Sequence, residues 1–228
     1  MLAWMPSASS PAAGSAGPAT VQAVSTPALV PKPGYYRPVV VNGKTFPLAR
    51  SNYLNLLEFS NNWHAPRLRF EGGRWLLVGV HEGIDIAAEW GTPIVSMTAG
   101  TVENVGWTFY SGTRVGIRGP DGRYYFYAHL SWVAPGIVAG ARVAPGRLLG
   151  HVGNTGYGPD GTRDRFPPHL HFGIESSSGW VSPWGLLVSL YDVMVRAQDR
   201  GRAELDRLAL QGDLAGWNRL ASRLFEAF

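Results

Sequence analysis

Cysteine is absent from all 228 residues. That excludes a disulfide frame and any thiolate metal site, so a bound metal must rely on histidine and carboxylate. No apolar run reaches the roughly 18 residues that a membrane-spanning helix needs. The first residues, Met1 to Pro6, carry no basic cluster, and no signal peptide is read there. Charge is sparse: 20 Lys and Arg stand against 16 Asp and Glu, a net +4 with a pI near 9.6. That small excess favours polyanions, but there is no Lys/Arg-rich block, and nucleic acid is not expected as a partner. No serine sits in a G-x-S-x-G setting, which leaves a serine triad without support.

What is present is ample for a core: 45% hydrophobic residues, with nine each of Trp, Tyr and Phe. Proline, Ala, Ser and Gly dominate from Pro6 to Pro33, too few large apolar side chains to offset the entropy of ordering. We therefore expect a linker over 1–34, a folded domain over 35–184 and a helical extension over 185–228.

Within the domain, Val39 to Val41, then Asn42-Gly43, then Lys44 to Phe46 predict a hairpin with a type I′ turn. Asn52 to Phe59 reads as a short helix. From Trp75 to Ile174, short β-branched and aromatic runs divided by Gly, Pro, Asn and Asp predict an all-β core. The run Trp75 to Val80 reads as a buried strand. Asp121-Gly122 closes a second hairpin, whose alternation places Tyr125, Tyr127 and His129 on one face. After Trp184 the period turns helical, with Leu187, Leu190, Tyr191 and Met194, then Leu205, Leu208, Leu214, Trp217, Leu220 and Leu224. These helices are expected to pack on the domain or on a protein partner; their interleaved arginines make a membrane-surface face the alternative.

Four of the six histidines fall in fragments that share one chemistry. His81 and Asp85, four residues apart on an extended or turning segment, can point at one ion. A helical H-E-x-x-D reading with Glu82 as base is disfavoured by Gly83, by β-branched Ile84 and Ile86, and by the lack of an N-cap. His169 and His171 lie at i and i+2 on a strand, one face together, with Leu170 and Phe172 turned to the core. Pro167-Pro168 rules out a helix there. With His129 they supply enough donors for one metal and one water. His64 and His151 are expected to be surface or packing residues. Gly153-Asn154-Thr155-Gly156 lacks the Lys and helix of a P-loop and reads as a turn. Trp107, Phe109, Tyr110, Trp132, Tyr157 and Phe166 are either groove-lining or ordinary packing aromatics.

The segments His81-x-Gly83-x-Asp85-Ile86, Gly91-Thr92-Pro93-Ile94, Ala99-Gly100-Thr101-Val102, Tyr127-Ala128-His129-Leu130, Gly153 to Gly156 and His169-Leu170-His171-Phe172 together resemble the lysostaphin-type, LytM-like zinc endopeptidases of the M23 family. They run in that family's order over roughly Asn62 to Ile174. The resemblance implies antiparallel sheets forming a groove, one Zn2+ held by His81, Asp85 and His171, and catalytic histidines at His129 and His169. It implies hydrolysis of peptide bonds in peptidoglycan stem or cross-bridge peptides, and an extracellular or wall-associated location. All five site positions are filled, unlike in metal-free relatives that scaffold or activate another hydrolase; a wall-binding or assembly role is the alternative, and a soluble peptide substrate a third. The stretches Leu68 to Leu77 and Tyr157 to Phe166 are longer than in many relatives, so substrate choice is the least transferable feature.

Overall fold

The computed structural model describes residues 34–52 and 57–226. All of these belong to one compact unit, 31–228. The strands are β1 (Tyr35–Tyr36), β2 (Glu58–Phe59), β3 (Pro66–Glu71), β4 (Arg74–Val80), β5 (Ile84–Ala87), β6 (Pro93–Val95) and β7 (Gly100–Thr108). They continue as β8 (Gly112–Arg118), β9 (Tyr124–Val133), β10 (Arg142–Val143), β11 (Leu148–Val152), β12 (His169–Ser176) and β13 (Gly179–Val181). Helices α1 (Trp184–Leu210) and α2 (Leu214–Leu224) and a last short strand, β14 (Phe225–Glu226), complete the described chain. The fold is the mostly antiparallel β architecture the sequence suggested, followed by two helices.

A ten-stranded sheet carries the domain, in the order β10-β7-β8-β9-β12-β5-β2, with β11 joining β9 to β6 and β13 flanking β12. Its inner faces alternate as the sequence pattern requires: Ile84 and Ile86 of β5, Val115 and Ile117 of β8, Tyr125 and Tyr127 of β9, and Leu170 and Phe172 of β12 are buried in one cluster. The Asn42-Gly43 turn has φ of 50° and 72°, the type I′ geometry expected, but the flanking residues pair only through a bridge between Val41 and Lys44. Of the helix expected over Asn52 to Phe59, Glu58–Phe59 is instead strand β2, and residues 53–56 lie outside the described residues.

Helix α1 buries Leu187, Leu190, Met194, Gln198, Leu205 and Leu208, at steps of three, four or seven residues that keep one face inward. Leu187, Leu190 and Met194 belong to the same apolar cluster as the sheet, and Tyr191 packs on Phe46 and Phe59 at ring separations of 5.2 and 5.3 Å. Asp213 caps α2, its side chain accepting from Gly216 N at 2.8 Å. On the outer face of α1, Arg196, Arg202 and Arg207 each pair with an acidic residue of the same helix, which offsets much of its basic character. No described helix is long and apolar enough to cross a membrane.

Strands β3 and β4 form a separate two-stranded hairpin. Its turn is Gly72-Gly73, with φ of 57° and 78°, a conformation glycine adopts without steric cost. Here the sequence expectation fails: the run Trp75 to Val80 is a strand but not a buried one. Trp75 and Leu77 are each 66% exposed, and Leu68, Phe70 and Val78 are also exposed. Among the described residues no second layer covers either face, so alternation cannot hide these side chains.

Candidate active site

The centre of the site is the pairing of β12 with β5, which sets His171 directly opposite Asp85. Cross-strand partners share a face, so the ring and the carboxylate stand side by side. His81 enters from the segment between β4 and β5. His81 Nε2 lies 2.9 Å from His171 Nδ1 and 3.0 Å from Asp85 Oδ1, and His171 Nδ1 lies 2.9 Å from the same carboxylate oxygen. The three donors form a nearly equilateral triangle, and His81, Asp85 and His171 make up the potential metal-holding group found among the described residues.

The chemistry of this triangle fits a divalent cation. His81 Nδ1 stands 2.9 Å from the Asn62 carbonyl oxygen and donates to it, which assigns the proton to Nδ1 and leaves Nε2 with a bare lone pair. A single hydrogen on His171 Nδ1 cannot serve both His81 Nε2 and Asp85 Oδ1. A cation satisfies all three at once, and the spacing is close to the ~3.3 Å edge of a tetrahedron with zinc-like bonds of ~2.0–2.1 Å. Burial would raise the Asp85 carboxyl, but its close contacts with the His171 and His81 rings and nearby imidazole charge outweigh it and hold it well below the usual carboxylate range. Burial pushes the His171 ring down, with Asp85 opposing. Both effects favour an ionised carboxylate beside a neutral His171 ring.

Gly83 is explained by the same ring. A Cβ there would lie 2.6 Å from His171 Cε1 and 2.8 Å from the Phe172 carbonyl oxygen, so the motif His81-x-Gly83-x-Asp85 leaves out a side chain where His171 must sit. Asn62 serves both His81 and Asp85: its carbonyl oxygen accepts the His81 Nδ1 proton, and its Oδ1 accepts from Asp85 N at 3.2 Å. Nothing in its side-chain type singled it out in the sequence.

His129 arrives by a route that alternation does not foresee. With Phe172 opposite Tyr127 and His171 opposite Ala128, strict alternation would send His129 into the core behind Tyr125 and Tyr127. Instead β9 carries an extra residue relative to β8 between Tyr127 and Leu130, and His129 sits in that bulge with φ of 65°. The bulge re-aims the side chain onto the site face, correcting the expectation that the three residues share one face. Its ring centroid comes within 4.8 Å of His169 and 6.0 Å of His171. His129 Nδ1 donates to the Thr155 carbonyl oxygen at 2.7 Å, which leaves Nε2 unprotonated. Burial pushes this ring's pKa down to about 3, reinforced by His169 and opposed by the Thr155 hydrogen bond. His169 follows the same pattern: Nδ1 faces the Pro167 carbonyl oxygen at 2.9 Å and Nε2 lies 3.7 Å from Asp85 Oδ1.

The segment Gly153 to Gly156 is a turn, as expected, but a structural one of consequence. Besides fixing His129, Thr155 donates its hydroxyl to the Leu130 carbonyl, and Asn154 Nδ2 donates to Asp164 Oδ1 and to the Phe166 carbonyl. Phe166 then packs on His129 and His169 at 4.8 and 5.1 Å.

Around these side chains the surface forms a groove. One lobe, of about 580 Å³, is lined by Arg67, Asp85, His129, Tyr157, Arg165, Phe166 and His169. The other, of about 250 Å³, is lined by Glu82, Tyr110, Phe126, His171 and Trp180 among others, and shares Arg67, His129 and Tyr157 with the first. Tyr110, Tyr157 and Phe166 therefore line the groove, whereas Trp107, Phe109 and Trp132 are not among its lining residues. His64 stacks on Trp63 and His151 packs on Trp132, outside the site. Arg67, Arg165, Phe126 and Trp180 were not foreseen.

A sequence model of Peptidase family M23 matches residues 79–183, the span that holds all five site residues. Those residues form an M23 peptidase domain. This M23 domain is 47% identical over 100 residues to the L-Ala--D-Glu endopeptidase of Bacillus subtilis, covering 44% of this chain and 31% of that protein. It is 35% identical over 96 residues to the glycyl-glycine endopeptidase ALE-1 of Staphylococcus capitis, covering 41% of this chain and 24% of that protein. This chain thus spans less than a third of either relative's length. Among solved structures, a protein from Ruminococcus gnavus described as a putative glycyl-glycine endopeptidase LytM superposes with a TM-score of 0.53 at 34% identity, over 63% of this chain and 59% of that one.

Proposed function

We propose that the chain is a zinc-dependent endopeptidase that hydrolyses peptide bonds in bacterial peptidoglycan, working outside the cell or at the wall. The observation that carries this reading is the donor triangle of His81, Asp85 and His171 set beside two further histidines in an open groove. One Zn2+ per chain is the ion of choice, because two imidazoles and a carboxylate leave a position open for water in a catalytic zinc site. Bound there, zinc supplies Lewis-acid chemistry, polarising a carbonyl and lowering the pKa of water to about 7.

The chain's own residues account for the rest of the proton inventory. His129, its Nδ1–H held by Thr155, presents Nε2 as a proton acceptor for the attacking water. The proton that His129 takes from the water returns from its Nε2 to the leaving amine, and His169, held by Pro167 and in ring contact with His129 at 4.8 Å, would steady the developing oxyanion when it carries a second proton on Nε2. Phe166 against both rings limits their rotation and excludes bulk water. A peptide substrate is supported by the relatives' names, L-Ala--D-Glu endopeptidase and glycyl-glycine endopeptidase, and by the two adjoining lobes of the groove.

Purified cell walls test the proposal. Zinc-loaded protein is expected to lower their turbidity and release new peptide amino termini, and removal of metal by a chelator to stop both. Walls that stay intact while retaining the protein would point instead to a binding or assembly role.

A further inference from the structure

The groove is electrically lopsided. Its larger lobe holds two guanidinium groups, Arg67 and Arg165, and one carboxylate, Asp85, which is already committed to His81 and His171. The smaller lobe shares Arg67, adds Glu82 and lacks Arg165, so the surplus of positive charge lies on the Arg165 side. Arg67 reaches the centre of the site, its Nη2 3.7 Å from Asp85 Oδ2. Among the described residues no acidic side chain is ion-paired with Arg165. Its neighbour Asp164 is turned away to Asn154 and Arg163.

Arg165 is also held in place. The residues on either side of it are tied to one side chain: Asn154 Oδ1 accepts from Asp164 N at 3.3 Å, and Asn154 Nδ2 donates to the Phe166 carbonyl at 3.0 Å. Gly156 N donates to the Thr162 carbonyl at 2.9 Å, closing the same loop. A guanidinium carried on a pinned backbone, lining the same lobe as a second one and without an acidic partner among the described residues, is available to a planar anion.

Resting on the peptidase reading above, we infer that Arg67 and Arg165 select substrates carrying a free carboxylate on the residue beside the scissile bond. The substrate class is then an acidic stem peptide rather than a glycine cross-bridge, which offers no side-chain charge to either arginine. Arg165 is the specificity residue that can be tested cleanly, because Arg67 also touches a metal-ligand carboxylate.

The experiment compares two soluble peptides containing an Ala–D-Glu bond, one with the glutamate α-carboxyl free and one with it amidated, plus an all-glycine peptide. The zinc-loaded full chain and its Arg165→Gln and Arg165→Lys variants are assayed for kcat/KM and, by calorimetry, for binding. The wild type is expected to favour the free carboxylate by about tenfold or more, the worth of one charge-assisted contact. Arg165→Gln should bring that ratio near unity while melting at the wild-type temperature, and Arg165→Lys should restore part of it. Equal rates on both peptides, preference for glycine, or a ratio unchanged in Arg165→Gln would overturn the inference and leave the peptidase reading intact. Carboxylate-dependent binding without hydrolysis of any peptide would do the reverse.

Discussion

Strand β12 and hairpin β3–β4 border the same groove on opposite physical terms. In β12, Leu170 and Phe172 are fully buried while His169 and His171 face the site, so each ring is fixed by the packing directly beneath it. In the hairpin, both faces are open and large apolar side chains stand in solvent. Groups that need their geometry held within fractions of an ångström are on the first; the second contributes Arg67 and a wall. Chemistry sits where burial removes freedom, and the exposed wall is free to vary with the substrate.

The sharpest way to break that contrast is at its rigid end. His171→Ala removes one of the three proposed ligand atoms and leaves only Asp85 and His81 to hold an ion. Zinc binding and wall hydrolysis are both expected to vanish, as read by metal analysis of the purified variant and by turbidity. A zinc-loaded, active His171→Ala would defeat the ligand assignment.

One step smaller, His129→Ala leaves the triangle untouched. It should retain zinc at one per chain while turnover falls by about 10²- to 10⁴-fold, the range for losing a general base. Loss of metal in this variant would mean that His129 is a ligand rather than the proton acceptor.

Smaller again is Gly83→Ala, which tests positioning. The new Cβ would meet both the His171 ring and the Phe172 carbonyl, and the backbone atom has no room to give. Zinc affinity is expected to fall by about 10- to 100-fold, the usual cost of disturbing a ligand's surroundings. Competition with a metallochromic chelator measures it, and an unchanged affinity would remove the reason given for this glycine.

The same contrast explains what the sequence did and did not disclose. Histidines at i and i+2, or beside an aspartate four residues on, stand out because imidazoles are poor core material, and the structure brings those five side chains together. His129 was identified as a residue but placed on the wrong face, since a period of two assumes an unbroken ladder and the bulge adds a residue. Trp75 to Val80 was read as buried because apolar content signals a strand but cannot say whether a second layer covers it. Asn62 and Thr155 work partly through backbone carbonyls, which every residue type possesses, so their identity carried little signal.

The gentlest test addresses stability alone. Leu149 lies fully buried in β11, and its truncation to Ala should cost about 2–5 kcal/mol by lost burial and a cavity. Trp75→Ala removes a larger side chain from a solvent-facing position whose packing partner is Phe70, at a ring separation of 5.2 Å. Only that local pair is lost, and the cost should stay below about 1.5 kcal/mol. Urea unfolding of both variants, compared at a shared slope, gives the two values directly. Should Trp75→Ala prove as damaging as Leu149→Ala, the hairpin would belong to the cooperative core, and the division between a fixed floor and a variable wall would have to be redrawn.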